Sequence, residues 1–232
     1  LLVQTATTQF SARYLRFVPD MDAAEARSAL VSCGRRLDAL GFAPATDGNV
    51  SARLGPDRLL LTPSGKEKGS LAPEDLLVVD LAGRVVEGGG RPSTETPMHL
   101  LCYRKRGDVG GVVHAHPPVA TAFAAAGVPL DAPVMPEIVV TVGAVPLVPY
   151  ATPGTEELAL ALEPWIERHD AFLLASHGVL ALGRDVREAL HRMERVEHLA
   201  RVTLAARLLG GPRPLTDAQV VSLLGVAPPR PA

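Results

Sequence analysis

Apolar positions along this 232-residue chain recur with two periods, one helical and one extended. Between Met21 and Leu40 the residues Ala26, Ala29, Leu30, Cys33, Leu37 and Leu40 fall three or four apart and Gly41 ends the run, which predicts an amphipathic helix over 21–40. Thr96–Pro97 predicts a second helix to about Lys105, with Thr96 as N-cap and Pro97 at the first helical position. "VATAFAAAG" predicts a short helix closed by Gly127, and residues 154–168 another. Asp185 caps a long helix to Leu209, where Val186, Leu190, Met193, Ala200 and Leu204 keep helical spacing.

Short apolar runs between these helices predict strands. They are "NVSARL", "DRLLL", "LLVVD", "RVVE", "DVGGVVHAH", two within "EIVVTVGAVPLVPY", and two in "AFLLASHGVLALG" joined near Gly178. Several of them follow one another without a helix, which points to a largely antiparallel or mixed sheet. There is no internal repeat and no linker, so the fold class is α/β: one domain with a central sheet flanked by helices. The domain is expected to span 21–210. Residues 1–20 read as an extension outside the fold: Arg13 and Arg16 precede the first acid, Asp20, yet no sustained apolar run accompanies them. Residues 211–232 form a Pro-rich tail with a short helix from Thr216 to Leu224.

Composition narrows the function. Lys plus Arg is 23 against 25 acids, a net charge of −2, and aromatics are only 4%, so neither a basic face nor stacking groups for nucleic acid are expected. No apolar run reaches the length of a membrane span. Cys33 and Cys102 are far apart and make no disulfide framework, as expected of a cytoplasmic protein.

Candidate chemistry begins at "GGVVHAHPP". His114 and His116 are two residues apart at the end of a strand, so they share a face and their nitrogens can converge on one ion, at about 2.0–2.1 Å for zinc. His177 in "LLASHGV" has the same strand-end setting. Three neutral imidazoles would leave a zinc ion its double charge and an open position, a catalytic arrangement; the plainer reading is three polar strand ends. His99, His191 and His198 lie on charged helices and His169 at a helix end, which makes them weaker candidates. Glu95 precedes a helix start, where the dipole and a nearby cation favour a carboxylate, or it is an ordinary helix-start acid. Three polar loops, "TDGNVS" (46–51), "TPSGK" (62–66) and "PSTE" (92–95), carry small donors beside glycine or proline. Such loops cradle phosphate or simply turn the chain, and none is a Walker A or Rossmann fingerprint.

Taken in order, "GNVS", "LLLTPSGK", "RPSTET", "VVHAHPPVATAFA", "VPYATPGT", "LLASHGVLALG" and the last long helix resemble the class II aldolase/adducin family, of the L-fuculose-1-phosphate aldolase type, over roughly 21–209. The resemblance implies a three-layer α/β/α fold and zinc, or another divalent ion, held by His114, His116 and His177. It implies Glu95 as catalytic carboxylate and as a further metal ligand, displaced when substrate binds. Gly48, Asn49, Ser64, Gly65, Ser93 and Thr94 then hold the substrate phosphate. A homotetramer with its active site at a subunit interface is implied too.

The implied activity is that of a carbon–carbon lyase, reversible cleavage of a ketose 1-phosphate to dihydroxyacetone phosphate and a short aldehyde. Zinc would stabilise the enediolate, and Glu95 would exchange the C3 proton. Related epimerases usually carry Asp at the Glu95 position, and adducin-like interaction domains lose the histidines. Sugar-phosphate dehydratases and decarboxylases share the metal site and stay open as alternatives, together with an epimerase of the same family or a non-enzymatic adducin-like interaction domain. Two tyrosines of the fuculose-phosphate type have no counterpart. The chain has no tyrosine between Tyr103 and Tyr150 and nothing aromatic after Phe172; Glu137 is a polar substitute or an acid at a strand edge.

Overall fold

In the computed structural model, which describes residues 22–226, Asp22 caps the first helix, α1 (Ala23–Ala39), by accepting from the Glu25 amide at 3.2 Å. Such a cap satisfies a backbone donor that the helix itself leaves unpaired, for about 1 kcal/mol. The reading of residues 1–20 as an extension, and of Met21 as a helix opener, lies outside the described residues. Eight strands follow: β1 (Asn49–Arg53), β2 (Arg58–Leu61), β3 (Leu77–Asp80), β4 (Val85–Glu87), β5 (Gly111–Ala115), β6 (Leu147–Val148), β7 (Ala171–Leu174) and β8 (Gly178–Gly183). They form one sheet in the order β4-β3-β2-β1-β5-β8-β7-β6. Every pairing is antiparallel except β6 with β7. The mixed, mainly antiparallel sheet is the one expected from strands that follow each other without helices.

Strand alternation divides the core in two. On one face, Val50 and Ala52 of β1, Val113 and Ala115 of β5 and Val179 and Ala181 of β8 pack with α1, with α3 (Pro118–Ala125) and with α6 (Val186–Leu208). On the other face, Val112, Phe172, Leu180 and Leu182 pack with α2 (Thr96–Lys105) and α5 (Glu156–Ile166). Helices therefore cover both faces of a single-domain sheet, and the fully buried leucines and valines each contribute about 1.5–3 kcal/mol relative to exposure. Asn49 and Ser51 project from β1 toward the α2 side, as does His114 from β5, and Asn49 is the register partner of His114.

Three local expectations are corrected. The first half of "EIVVTVGAVPLVPY" is a helix, α4 (Pro136–Thr141), and only Leu147–Val148 is a strand. Pro136 at the helix start and Gly143 at φ +81° just past its end punctuate the segment, and buried Ile138 anchors it to the core; these outweigh the β propensity of the Ile-Val-Val run. Glu137 accordingly stands exposed in the first turn of α4, on no strand edge. The N-cap of α2 is Glu95, with Thr96 already helical. Thr96 Oγ1 donates to the Ser93 carbonyl at 2.7 Å and leaves the Glu95 carboxylate uncommitted to capping.

The long helix α6 begins as expected, with Asp185 accepting from the Glu188 amide at 2.7 Å. Beyond it, α7 (Asp217–Val226) gives the tail the short helix that was anticipated, and the Leu215 amide donates to Pro133 O at 2.8 Å just before it. Among the described residues no helix is long and apolar enough to cross a membrane. Cys33 and Cys102 are both free and buried.

Candidate metal centre and active site

Asn49 and His114 face each other across the β1–β5 pair, and α2 starts above them with Glu95. His116 lies just past the end of β5, its amide donating to Phe42 O at 2.8 Å. His177 lies in the tight β7–β8 connection, after Ser176 in the left-handed region at φ 55°. Gly178, next in line, lets the His116 ring in: a Cβ there would come within 2.5 Å of His116 Cδ2. The three rings have centroids 4.6–5.3 Å apart. One nitrogen from each lies within 4.8 Å of the others, a group able to hold a metal ion.

The hydrogen bonds fix the way the histidines point. His114 Nδ1 donates to the Val179 carbonyl at 2.9 Å, and burial pushes this imidazole down to about 3 despite the nearby Glu95 charge, so Nε2 is a bare lone pair at neutral pH. His116 Nδ1 lies 3.2 Å from Asp47 Oδ2, and in its uncharged form that also leaves Nε2 bare. The two Nε2 atoms are only 3.3 Å apart. Glu95 adds Oε2 at 3.3 Å from His114 Nε2 and Oε1 at 3.2 Å from His177 Nε2. Lone pairs and a carboxylate gathered this closely repel one another unless a cation lies among them, and imidazole nitrogens with a carboxylate oxygen are the donors zinc and similar divalent ions take. The residues fit the metal.

Burial would raise the Glu95 carboxyl, while positive charge among the surrounding imidazoles, when present, and a hydrogen bond from Asn49 favour its carboxylate form. Asn49 Nδ2 donates to Oε2 at 2.7 Å. Oε1 and His177 Nδ1 are buried and make no hydrogen bond among the described residues. The helix start thus supplies an acid turned into the cluster, not a cap.

All three polar loops meet beside this group. The Pro63–Pro92 bridge and the Ser64 amide, donating to Arg91 O at 2.9 Å, join the second loop to the third. Asn49 Nδ2 reaches Ser93 Oγ at 3.3 Å, and Ser93 Oγ accepts from the Glu95 amide at 3.2 Å, joining the first to the third. Lys68 ties the first to the second: its buried Nζ donates to Thr46 O at 2.9 Å and Lys66 O at 2.6 Å, and burial pushes its pKa down. Ser64, Gly65 and Thr94 are exposed, Gly48 and Ser93 half-buried. Asn49 is buried with its amide already engaged by Glu95 and Ser93. Gly48, at φ +73°, leaves no room for a side chain, since a Cβ would lie 2.8 Å from His114 O.

Several residues here carry no signal in the sequence motifs. Asp47 aims His116; Lys68 sits under two loops; and His99, set aside above as a charged-helix histidine, is fully buried beneath Asn49. Helical spacing offers a clue to the last, because His99 stands four residues after Glu95 and shares its face.

The comparisons with known proteins agree with this architecture. A family model described as the class II aldolase and adducin N-terminal domain matches residues 28–204. The chain is 37% identical to a methylthioribulose-1-phosphate dehydratase of Methylococcus capsulatus, over 75% of this chain and 91% of the relative. It is 34% identical to a 5-deoxy-D-ribulose 1-phosphate aldolase of Bacillus thuringiensis serovar kurstaki, over 85% and 92%. Its structure is similar to that of an L-fuculose 1-phosphate aldolase, with TM-score 0.82 and 33% identity over 88% of this chain and 97% of the other. With the fold, the family match and these relatives in agreement, the chain belongs to the class II aldolase and adducin N-terminal domain family.

Proposed function

We propose that the protein is a metal-dependent enzyme of sugar-phosphate metabolism that cleaves a ketose 1-phosphate between C3 and C4, giving dihydroxyacetone phosphate and a short aldehyde. The observation that carries this reading is Glu95, whose carboxylate lies 3.2–3.3 Å from two of three converging histidines while Asn49 holds its Oε2. His114, His116 and His177, with Glu95 at rest, would hold the ion. When bound, it supplies Lewis-acid stabilisation for the negative charge that develops on the substrate oxygens. Zinc suits the donor set, and the catalytic unit is assigned to 21–210.

In the cleavage direction the C4 hydroxyl gives its proton to solvent water on the exposed side of the site, and the C3–C4 electron pair passes into a 2,3-enediolate as the aldehyde departs. Glu95, in its acid form, then delivers a proton to C3 to complete dihydroxyacetone phosphate. In condensation the Glu95 carboxylate removes that same C3 proton. Ser64, Gly65, Ser93 and Thr94, with Gly48 and Asn49 as the floor, would anchor the phosphate through amide and hydroxyl donors and so place C3 over the carboxylate. A homotetramer, with a neighbouring subunit closing the exposed side of the site, belongs to the same proposal.

A second reading is favoured by the 37% identity to a dehydratase that by its name also acts on a ribulose 1-phosphate. There Glu95 removes the C3 proton and the resulting enediolate expels the C4 hydroxyl as water, leaving the C3–C4 bond intact. Both routes share the phosphate anchor, the ion and the enediolate and differ in the bond broken at C4. A panel of ketose 1-phosphates separates them: aldol cleavage releases dihydroxyacetone phosphate, and dehydration yields a dicarbonyl of unchanged carbon number. Glu95→Gln is expected to keep its metal and lose about 10²–10⁴-fold in kcat; full turnover in that variant removes Glu95 as the proton carrier.

A further inference from the structure

Beneath the Asn49–Glu95 contact, a line of polar groups runs into the apolar layer between the sheet and α2. Tyr103 Oη lies 2.9 Å from Ser51 Oγ, Ser51 Oγ 2.6 Å from His99 Nδ1, His99 Nε2 2.5 Å from Asn49 Oδ1, and Asn49 Nδ2 2.7 Å from Glu95 Oε2. Asn49 and Ser51 are alternate residues of β1, while Glu95, His99 and Tyr103 follow one another at four-residue steps along α2. One face of a strand therefore meets one stripe of a helix. Asn49, Ser51, His99 and Tyr103 are all buried, His99 and Ser51 completely, among residues such as Met98, Cys102 and Leu180.

The hydrogens along this line have a single self-consistent direction. A carboxylate only accepts, so Asn49 must turn its NH₂ to Glu95 and its carbonyl to His99. That carbonyl requires the hydrogen on Nε2. Burial outweighs the pull of Glu95 and keeps the ring neutral at physiological pH, pushing it down to about 4, so Nδ1 is bare. Nδ1 then accepts from the Ser51 hydroxyl, and Ser51 accepts from Tyr103. All four inner groups donate toward Glu95. A buried polar network specifies geometry when every member is satisfied, and loses that advantage when one is removed. At the end of the line Oε2 is occupied by Asn49, while Oε1, 3.2 Å from His177 Nε2, accepts no hydrogen bond among the described residues and would be the oxygen that exchanges the proton.

We propose that His99 is a positioning residue for the Glu95 carboxylate: by donating from Nε2 to the Asn49 carbonyl, with Ser51 and Tyr103 behind it, it keeps the Asn49 NH₂ on Oε2 and Oε1 free for the substrate. Without that donor the Asn49 amide can turn over and present its carbonyl to the carboxylate. The inference rests on Glu95 being the proton carrier. It does not depend on which bond at C4 is broken.

The test combines kinetics with a spectroscopic readout that needs no turnover. In the ¹⁵N-labelled full chain, His99 should show a protonated Nε2 and a bare Nδ1, and Ser51→Ala should shift the Nδ1 resonance while leaving the Nε2 hydrogen in place. A protonated Nδ1, or an Nδ1 signal unmoved by Ser51→Ala, overturns the assignment, and this arm holds even if His99→Leu does not fold. Where it folds, His99→Leu is expected to keep its metal, lose about 10- to 100-fold in kcat and change KM by less than about threefold. His99→Gln, which can still donate near the Nε2 position, should recover most of the loss. Unchanged kcat, a defect confined to KM, or equal defects in the Leu and Gln variants overturn the proposal. Failure of the underlying reading has a different signature, namely full turnover in Glu95→Gln with the His99 tautomer as stated.

Discussion

At the inner end of the site the functional side chains other than His177, whose Nδ1 makes no hydrogen bond among the described residues, are each held by a second group. His114 is aimed by Val179 O, His116 by Asp47, and Glu95 by Asn49, which rests on His99. At the outer end Ser64, Gly65 and Thr94 stand exposed, and their order comes from backbone bridges such as Pro63–Pro92 and from the Lys68 strut below. The inner half can be tuned only by costly changes in a packed, low-dielectric setting. The outer half can change its ligand while leaving the scaffold alone. On the function proposed above, that contrast gives a physical reason for relatives named as aldolase and dehydratase to resemble one chain: a rigid proton-handling end would serve either reaction.

The comparison is broken most severely by His116→Ala. Loss of one of three converging nitrogens is expected to abolish stoichiometric metal, measured by elemental analysis of the purified protein, and to lower turnover at least about a thousandfold. Asp47→Asn separates holding the ring from being a ligand: metal affinity should fall about 10- to 100-fold in a chelator competition, with the fold intact by circular dichroism. An unchanged affinity would show that His116 is aimed by packing alone. Ser64→Ala probes the outer half and should raise KM for the phosphorylated substrate about tenfold, with kcat nearly constant. Equal losses in both constants would erase the division between the two ends.

The smallest expected effect is on stability against acid in metal-free protein. His99 is pushed from 6.5 to about 4 in the folded state, so between those values the unfolded chain binds a proton that the native chain excludes. Stability is therefore complete above about pH 6.5 and falls as the pH is lowered toward 4; His114, pushed to about 3, acts in the same direction. Urea midpoints from pH 7 to 4.5 should show this slope, and His99→Gln should flatten it.

Much of this was legible in the sequence because it depends on local periodicity and punctuation. The helix from Asp185, the strand ending in His114 and the strand–turn–strand around His177 all have clear caps, glycines or alternation. The segment 136–148 was misread because a β-branched run and a Pro…Gly frame compete there, and the buried anchor at Ile138 that decides between them is tertiary. His99 escaped notice for a related reason. Arg104 and Lys105 give its helix a solvated look, whereas the stripe bearing Glu95, His99 and Tyr103 faces β1.

By itself the sequence determined the family blocks and their order, the α/β alternation, the three strand-end histidines and the acid ahead of a helix, since each is written in a few contiguous residues. Only the tertiary structure decided what those residues do to one another. It brought His177 to 3.2 Å from Glu95, 82 positions away in the chain, turned Asp47 onto His116, and buried His99 under Asn49. Such relations depend on which strand pairs with which, in what register, and on which face a helix lies. These are long-range choices made by the packing of the two core layers, beyond the reach of local pattern.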